Sequence, residues 1–350
     1  MTGDALPSTM DAMAMDGFAG PEAIRRQSLP VPAPQSHEML VKVAAVGVNP
    51  ADWKACAGFL PFLPDAFLPL VPGFDGTGTV VALGDGVTDM AVGDRVAFMS
   101  GLPLGRGGTW ADYAICPVAH AVKLPAGLSF AAAATIPVAG ISAREALLTQ
   151  GQLKAGERVL INGGSGGTGL FAIQIAKAAG AIVAATAGAA NQDLLRSLGV
   201  DLPIDYRNED VAGKIAEWAA EGVDLVLDTV GQGSLSDPAA LIRPGGRYVA
   251  IETMLPQEAL PDTARFAARD ISAIRASASF ERLGEHLAAL VTAIDAGAMA
   301  PPPFELLPLA DAAAAMARVR EGHVRGKIVL AVDAQLDRAE PTPATSKDAA

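Results

Sequence analysis

Arg158-Val-Leu-Ile-Asn-Gly-Gly-Ser-Gly-Gly-Thr-Gly-Leu170 decides the fold. An apolar, β-type run enters at 158–161, and an Ala- and Ile-rich run of helical spacing leaves over 167–179. Between them Gly163, Gly166 and Gly169 stand at G-x-x-G-x-x-G spacing. Backbone without Cβ atoms lets a pyrophosphate come close, and the free N–H groups of the helix's first turn then face the anion. Three glycines alone carry little weight. Between a strand and a helix, inside a run of strand–helix alternation, they indicate a dinucleotide-binding loop. The alternative is a tight turn that only packs helix on strand. The candidate cofactor contacts are Gly163, Ser165, Gly166, Gly167, Thr168 and Gly169.

Downstream, the runs 181–186, 225–228 and 247–251 have β character, and 191–198 and 211–221 have helical spacing between them. This alternation predicts a doubly wound parallel sheet covered on both faces, an α/β class. An amphipathic helix over 282–296 stops before Pro301-Pro302-Pro303, and 327–332 reads as a final strand. Upstream, from Ala12 to about Pro125, the texture is short strands (41–48, 77–83, 95–99) and Gly/Pro turns, an irregular, mainly β domain. The predicted division is a loose leader 1–9, one domain from 10–130 and 301–335, a second over 131–300, and a disordered tail 336–350.

Bulk composition sets limits. Of the 350 residues 51% are hydrophobic and 18% charged, enough to bury two cores. The net charge of -12 and pI near 4.8 argue against nucleic-acid and membrane partners and leave a small-molecule substrate. The two cysteines, Cys56 and Cys116, form no disulfide framework and fit a reducing, cytoplasmic setting. No signal peptide is read at 1–15, and no run of some 18 uninterrupted apolar residues.

NAD sites carry Asp or Glu about 20 residues past the first glycine, at the end of the second strand. Here that region is Ala184-Ala-Thr-Ala-Gly188, and the first acid, Asp193, stands 30 positions after Gly163. NADPH is therefore the expected cofactor, with Thr186, Tyr206 and Arg207 available to hydrogen-bond its 2′-phosphate.

Several further stretches carry a resemblance: Val46-Gly-Val-Asn-Pro-Ala-Asp52, Pro72-Gly-Phe-Asp-Gly-Thr-Gly78, Val92-Gly-Asp-Arg-Val96, Gly108-Thr-Trp-Ala-Asp-Tyr113, Asp205-Tyr-Arg-Asn-Glu-Asp210, Asp228-Thr-Val-Gly231, Arg243-Pro-Gly-Gly-Arg247 and Gly326-Lys-Ile-Val-Leu330. Taken in order with the glycine loop, the chain from about Ala12 to Val332 resembles the medium-chain dehydrogenase/reductases, specifically their zinc-free, quinone-oxidoreductase-like branch. The resemblance implies that the N-terminal region and last segment form a GroES-like catalytic domain. It implies that 131–300 is a Rossmann NADP-binding domain, that the nicotinamide lies between the two, and that the protein is a homodimer or tetramer. Zinc relatives have Cys-His where this chain has Asn49-Pro50, and Gly-His-Glu where it has Gly73-Phe74-Asp75. With His37, His120, His286 and His323 scattered, no zinc site is expected.

The resemblance places Asn49 near the nicotinamide and ribose, Thr135 near the cofactor at the domain junction, and Tyr206 beside the 2′-phosphate, with Asn191 where the family has lysine. Val230 and Gly231 end a strand where such sheets hold ligands. Asp52 could orient Asn49 or Lys54, or relay a proton; a solvated helix-start carboxylate is the plainer reading. Lys54 could polarise an acceptor carbonyl or be solvated. Trp53, Phe59, Phe62, Phe67, Phe98 and Met99 could wall an apolar slot or be plain core. Gly101–Gly108 could be a lid or a connector, and Lys327 reads as a strand-end decoration rather than a phosphate contact. The function expected is a zinc-independent, NADPH-dependent oxidoreductase that passes hydride directly to a quinone or α,β-unsaturated carbonyl. An enoyl-thioester reductase is the alternative within the family; some of its members carry a Tyr acid where this chain has Phe59 and Phe62. A non-catalytic NADPH-binding protein is the other alternative.

Overall fold

The computed structural model describes residues 6–60, 62–231, 233–251, 255 and 263–333. Residues 1–5 of the expected leader and the tail 336–350 lie outside the described residues. Thr9, expected in the leader, instead opens a strand, Thr9–Ala14, paired antiparallel with Arg25–Pro30.

Six strands form one parallel sheet: Arg158–Asn162, Ile182–Ala187, Leu202–Asp205, Val223–Asp228, Ile242–Ile251 and Ser272–Ala276. Their spatial order is third, second, first, fourth, fifth, sixth. That is the dinucleotide-fold order, and its reversal point lies between the first and fourth strands, where ligands sit at the carboxyl ends. The runs are continuous and apolar because both faces are covered. Val159 and Ile161 face one core with Leu225, Leu227 and Val183, while Leu160 faces the other with Val226, Ala184 and Ile204. The helices Pro137–Arg144, Gly167–Ala178 and Leu283–Asp295 belong to the first of these layers. The helical run Phe130–Gln150 is long and apolar enough by composition to cross a membrane; 72% of its apolar window is buried in this core.

The second domain is a seven-stranded sheet. Its order is Phe304–Pro308, Lys327–Ala331, Glu38–Val48, Asp75–Leu83, Arg95–Met99 and Ala121–Lys123, with Tyr113–Pro117 also paired to Glu38–Val48. Glu38–Val48 reaches three partners because it is 11 residues long and changes register at Leu40/Val41 and Val43/Ala45. Bulges of this kind bend a strand and let it serve neighbours in different directions. The last segment of the chain thereby returns to the N-terminal domain, with Ile328 opposite Val48. This brings Lys327 beside Asn49.

Candidate active site

The glycine loop leaves the first parallel strand at Asn162 and enters the helix Gly167–Ala178 through Gly166. Gly163 has φ +85°, and a Cβ on it would lie 2.5 Å from Thr229 Oγ1. A Cβ on Gly169 would lie 2.2 Å from the Gly163 carbonyl oxygen. The fold itself requires both glycines. Gly166 is different: its φ is -79°, and an added Cβ would meet only the Gly163 oxygen at 3.6 Å. The helix N–H groups left without an intrahelical partner belong to Gly167, Thr168 and Gly169.

This loop is docked on the other domain. The Gly326 N–H donates to the Ser165 carbonyl at 2.9 Å, Gly166 and Gly326 form a parallel bridge, and the Gly167 backbone lies against the Lys327 side chain.

Around the loop the expected partners divide. Thr186 is buried; its hydroxyl donates to Asn162 Oδ1 at 2.7 Å and accepts the Gly163 N–H at 3.0 Å. It braces the loop from within, and the expectation that it hydrogen-bonds a 2′-phosphate does not match that placement. Tyr206 is 44% exposed past the third strand, and its hydroxyl accepts from Arg207 Nε at 3.3 Å. The strand Ile182–Ala187 ends without a carboxylate, as expected, and the Arg207 side chain reaches toward Gly188 just beyond it. Val230 projects 56% exposed, close to Gly163. Thr135 is buried and its hydroxyl donates to the Ala132 carbonyl at 2.7 Å.

Behind the loop lies a buried charge cluster. Asn49 precedes the helix Pro50–Cys56, and its N–H donates to Asp52 Oδ2 at 2.6 Å. Asn49 Nδ2 donates to Asp75 Oδ1 at 3.0 Å, and Asn49 Oδ1 accepts from the Lys327 ammonium. Lys327 Nζ also donates to the Val48 carbonyl at 3.0 Å, and Asp75 Oδ2 accepts the Val138 N–H at 3.2 Å. All four side chains are buried. Burial pushes the Asp52 carboxyl up to about 8, with the Asp75 charge adding to the rise. Asp75 is raised by burial, opposed by Lys327. Lys327 is lowered by burial, opposed by Asp75 and Asp52. The three shifts share one cause, burial of the whole cluster, and the Asp75 and Lys327 charges each favour the other's ionised form. Asp52 Oδ1 has no hydrogen-bond partner among the described residues.

These placements correct three expectations. Asp52 is not a solvated helix-start carboxylate: Pro50 at the helix start is exposed, but the Asp52 side chain turns inward and is wholly buried. Lys54 is likewise buried, with its Nζ 5.4 Å from the Trp53 ring centroid. Lys327 is no strand-end decoration: the returning strand carries it inside, between Asn49 and the glycine loop. Sequence reasoning missed Asp75 as its counter-ion, although a charged residue beside Gly73-Phe74 at a strand start was a readable signal.

Trp53, Phe59, Phe62 and Met99 are all partly exposed, and Trp53 meets Phe59 edge to face at 6.1 Å. Phe98 is wholly buried and belongs to the core. The 101–108 loop is pinned by Arg106, which bonds both Glu38 carboxylate oxygens at 3.0 and 2.9 Å.

The donor set does not fit zinc. Where zinc relatives carry ligands stand Asn49, Phe74 and Asp75, and Asn49 and Asp75 are engaged with each other while Asn49 also holds an ammonium. Among the described residues no group of three or more His, Cys, Asp or Glu could hold a metal ion.

Residues 35–126 match the family described as "Alcohol dehydrogenase GroES-like domain", and residues 198–330 match "Zinc-binding dehydrogenase". The chain is 32% identical over 326 residues to "Quinone oxidoreductase" of Homo sapiens, covering 92% of this chain and 97% of that one. It is 34% identical over 240 residues to "Synaptic vesicle membrane protein VAT-1 homolog" of Rattus norvegicus, covering 68% of this chain and 58% of that relative's length. Among solved structures, the quinone oxidoreductase from Coxiella burnetii superposes with a TM-score of 0.82 at 29% identity, covering 93% of this chain and all of that one. With the six-stranded order, the glycine loop and the GroES-like sheet in place, the chain belongs to the medium-chain dehydrogenase/reductase family, in its quinone-oxidoreductase-like branch.

Proposed function

We propose that this protein is an NADPH-dependent, zinc-independent oxidoreductase that reduces a quinone or an α,β-unsaturated carbonyl by direct hydride transfer. One observation carries the reading. Gly166 is the loop glycine that the fold does not need: a Cβ there would make only an ordinary 3.6 Å contact, at a helix start docked on the other domain. A bare backbone there is explained by a ligand that must approach it closely. The first-turn amides of Gly167, Thr168 and Gly169 would hold the diphosphate. Tyr206 and Arg207, beside a strand end that lacks a carboxylate, would take the 2′-phosphate in preference to a bare ribose.

The cofactor supplies a hydride from its nicotinamide ring. This chain's part is then to position and to exclude water. The Lys327–Asn49–Asp75 bonds hold the nicotinamide side of the site rigid, and the partly exposed faces of Trp53, Phe59, Phe62 and Met99 offer an apolar wall for the acceptor. Asn49, Phe74 and Asp75, where zinc relatives carry ligands, are a poor set for a Lewis-acidic metal that would stabilise an alkoxide, so an already electron-poor acceptor suits this chain better than an ordinary alcohol.

The test is NADPH consumption with chelator present, screened against quinones, enones, enals and enoyl thioesters, with NADH in parallel. Turnover of quinones or enones supports the proposal. Activity only with enoyl thioesters would move the assignment to that alternative, tight NADPH binding without any turnover would make the protein a binder, and activity restored by added zinc would overturn the metal-free reading.

A further inference from the structure

At the reversal point of the parallel sheet, the buried carboxylate of Asp228 collects an unusual number of donors. Asp228 ends its strand directly opposite Asn162. Its Oδ1 accepts from Asn162 Nδ2 at 2.9 Å, from the Val230 N–H at 3.0 Å and from the Gly231 N–H at 3.1 Å, and its Oδ2 accepts the Tyr248 hydroxyl at 2.7 Å. Asn162 Nδ2 also donates to Ser234 Oγ at 2.8 Å, and Ser234 Oγ donates to the Gly231 carbonyl at 2.7 Å. The other end of the Asn162 amide accepts the Thr186 hydroxyl, which itself accepts the Gly163 N–H. Asp228, Asn162, Thr186 and Tyr248 are all buried.

We infer that Asp228 is a positioning residue of the dinucleotide site, fixing the glycine loop and the Val230–Gly231 turn at one spacing through Asn162 and Thr186. A carboxylate can only accept, so the Asn162 amide must turn its nitrogen to Asp228 and its oxygen to Thr186. That orientation makes the Thr186 hydroxyl donate to Asn162, leaving its lone pairs for Gly163. Every donor in the chain thus points toward one charge, the arrangement in which such networks stiffen most. The two walls so linked touch: a Cβ on Gly163 would lie 2.7 Å from Val230 Cγ2. The exposed Val230 side chain is therefore set beside the loop by backbone bonds to Asp228. A buried polar hub with four donors is costly to keep unless its geometry is needed. The inference rests on the proposal that this loop holds NADPH.

The experiment is fluorescence titration of NADPH, with melting temperature in parallel, on wild type, Asn162→Ala, Asp228→Leu, Asp228→Asn and Tyr248→Phe. Asn162→Ala and Asp228→Leu should raise Kd about tenfold or more, the size of losing a charge-assisted hydrogen bond. Asp228→Asn keeps an acceptor toward Asn162 and the turn, with Tyr248 able to accept on the other side, and should stay within about threefold. Tyr248→Phe removes only the bond facing away from the loop; it should lower the melting temperature and leave Kd within about threefold. If Kd instead follows melting temperature across the set, with Tyr248→Phe as weak a binder as Asn162→Ala, the residue is merely structural and the inference fails. Should Asp228→Leu not fold, the Asn162→Ala and Tyr248→Phe pair decides alone. A wild type that binds no nicotinamide dinucleotide would sink the functional proposal and this inference together; wild-type binding with undiscriminating variants sinks only this one.

Discussion

Gly166 and Gly169 occupy the same motif, yet only Gly169 is required by the packing, and under the proposed function alanine at each separates folding from binding. At Gly169 the new Cβ would sit 2.2 Å from the Gly163 oxygen and 2.8 Å from the Gly164 Cα, both backbone atoms that cannot swing aside. The loop must shift, at a cost of about 1–3 kcal/mol or more by analogy with overpacking. At Gly166 the backbone is in a region open to any residue, and the nearest contact is an ordinary 3.6 Å. Alanine is a poorer N-cap than glycine by roughly 1 kcal/mol. It regains about 0.4–1 kcal/mol by restricting the unfolded chain. The net change in stability should therefore stay within about 1 kcal/mol. The binding effect expected from the proposed function is larger: a methyl where the diphosphate would approach displaces about one charge-assisted hydrogen bond, worth roughly 1.5–3 kcal/mol, or a ten- to hundredfold rise in Kd. Valine should abolish binding. Paired urea unfolding and NADPH titration read both quantities. Gly166→Ala binding as tightly as wild type would refute the reasoning, and so would a Gly166→Ala protein destabilised as much as Gly169→Ala.

Other consequences follow from the buried cluster and the loop's rim. The Asp52 carboxyl is raised to about 8 in the fold, against about 3.9 in an unfolded chain, so the folded state holds the extra proton between those values and stability falls as pH rises through that window. Asp52→Asn should remove that fall and gain on wild type in thermal melts at pH 8 relative to pH 5; parallel profiles would contradict the assignment. Lys327→Met strands the Asp75 carboxylate and should cost about 3–5 kcal/mol in urea unfolding, partly recovered by adding Asp75→Asn; an unaltered single variant would remove Lys327 from the cluster. Arg207→Glu should weaken NADPH at least tenfold while leaving NADH within about threefold, measured as Kd; equal losses would take Arg207 away from the 2′-phosphate.

How much of this was readable beforehand differs by element and for physical reasons. The strands that end at Asn162, Ala187 and Asp228 are buried on both faces, so they stand out as unbroken apolar runs punctuated by glycine. Leu202–Asp205 escaped notice: it is four residues long, contains Pro203 and lies at the sheet's edge. In the other domain, Thr9–Ala14 and Phe304–Pro308 are short strands whose partners lie elsewhere in the chain, and periodicity in a short window does not identify them. The site shows the same limit. The glycine loop is local, so its spacing was legible, and so was the missing acid after the second strand. Lys327 reaches Asn49 across 278 positions of sequence, and a lone lysine before an apolar run looks like any surface lysine. Thr186 lay at the expected place, but only the tertiary structure shows its hydroxyl turned inward to Asn162 and Gly163. Asp52 reads as a helix-start acid; its burial, and the nearby charges of Asp75 and Lys327, come from parts of the chain that its own neighbours do not reveal.

The most direct measurement is a crystal structure of the protein grown with NADPH. The diphosphate oxygens should lie within hydrogen-bonding distance of the Gly167, Thr168 and Gly169 nitrogens, and the nicotinamide beside Asn49. A dinucleotide bound elsewhere, or a Gly166 loop that stays free of it at saturating concentration, would contradict the account.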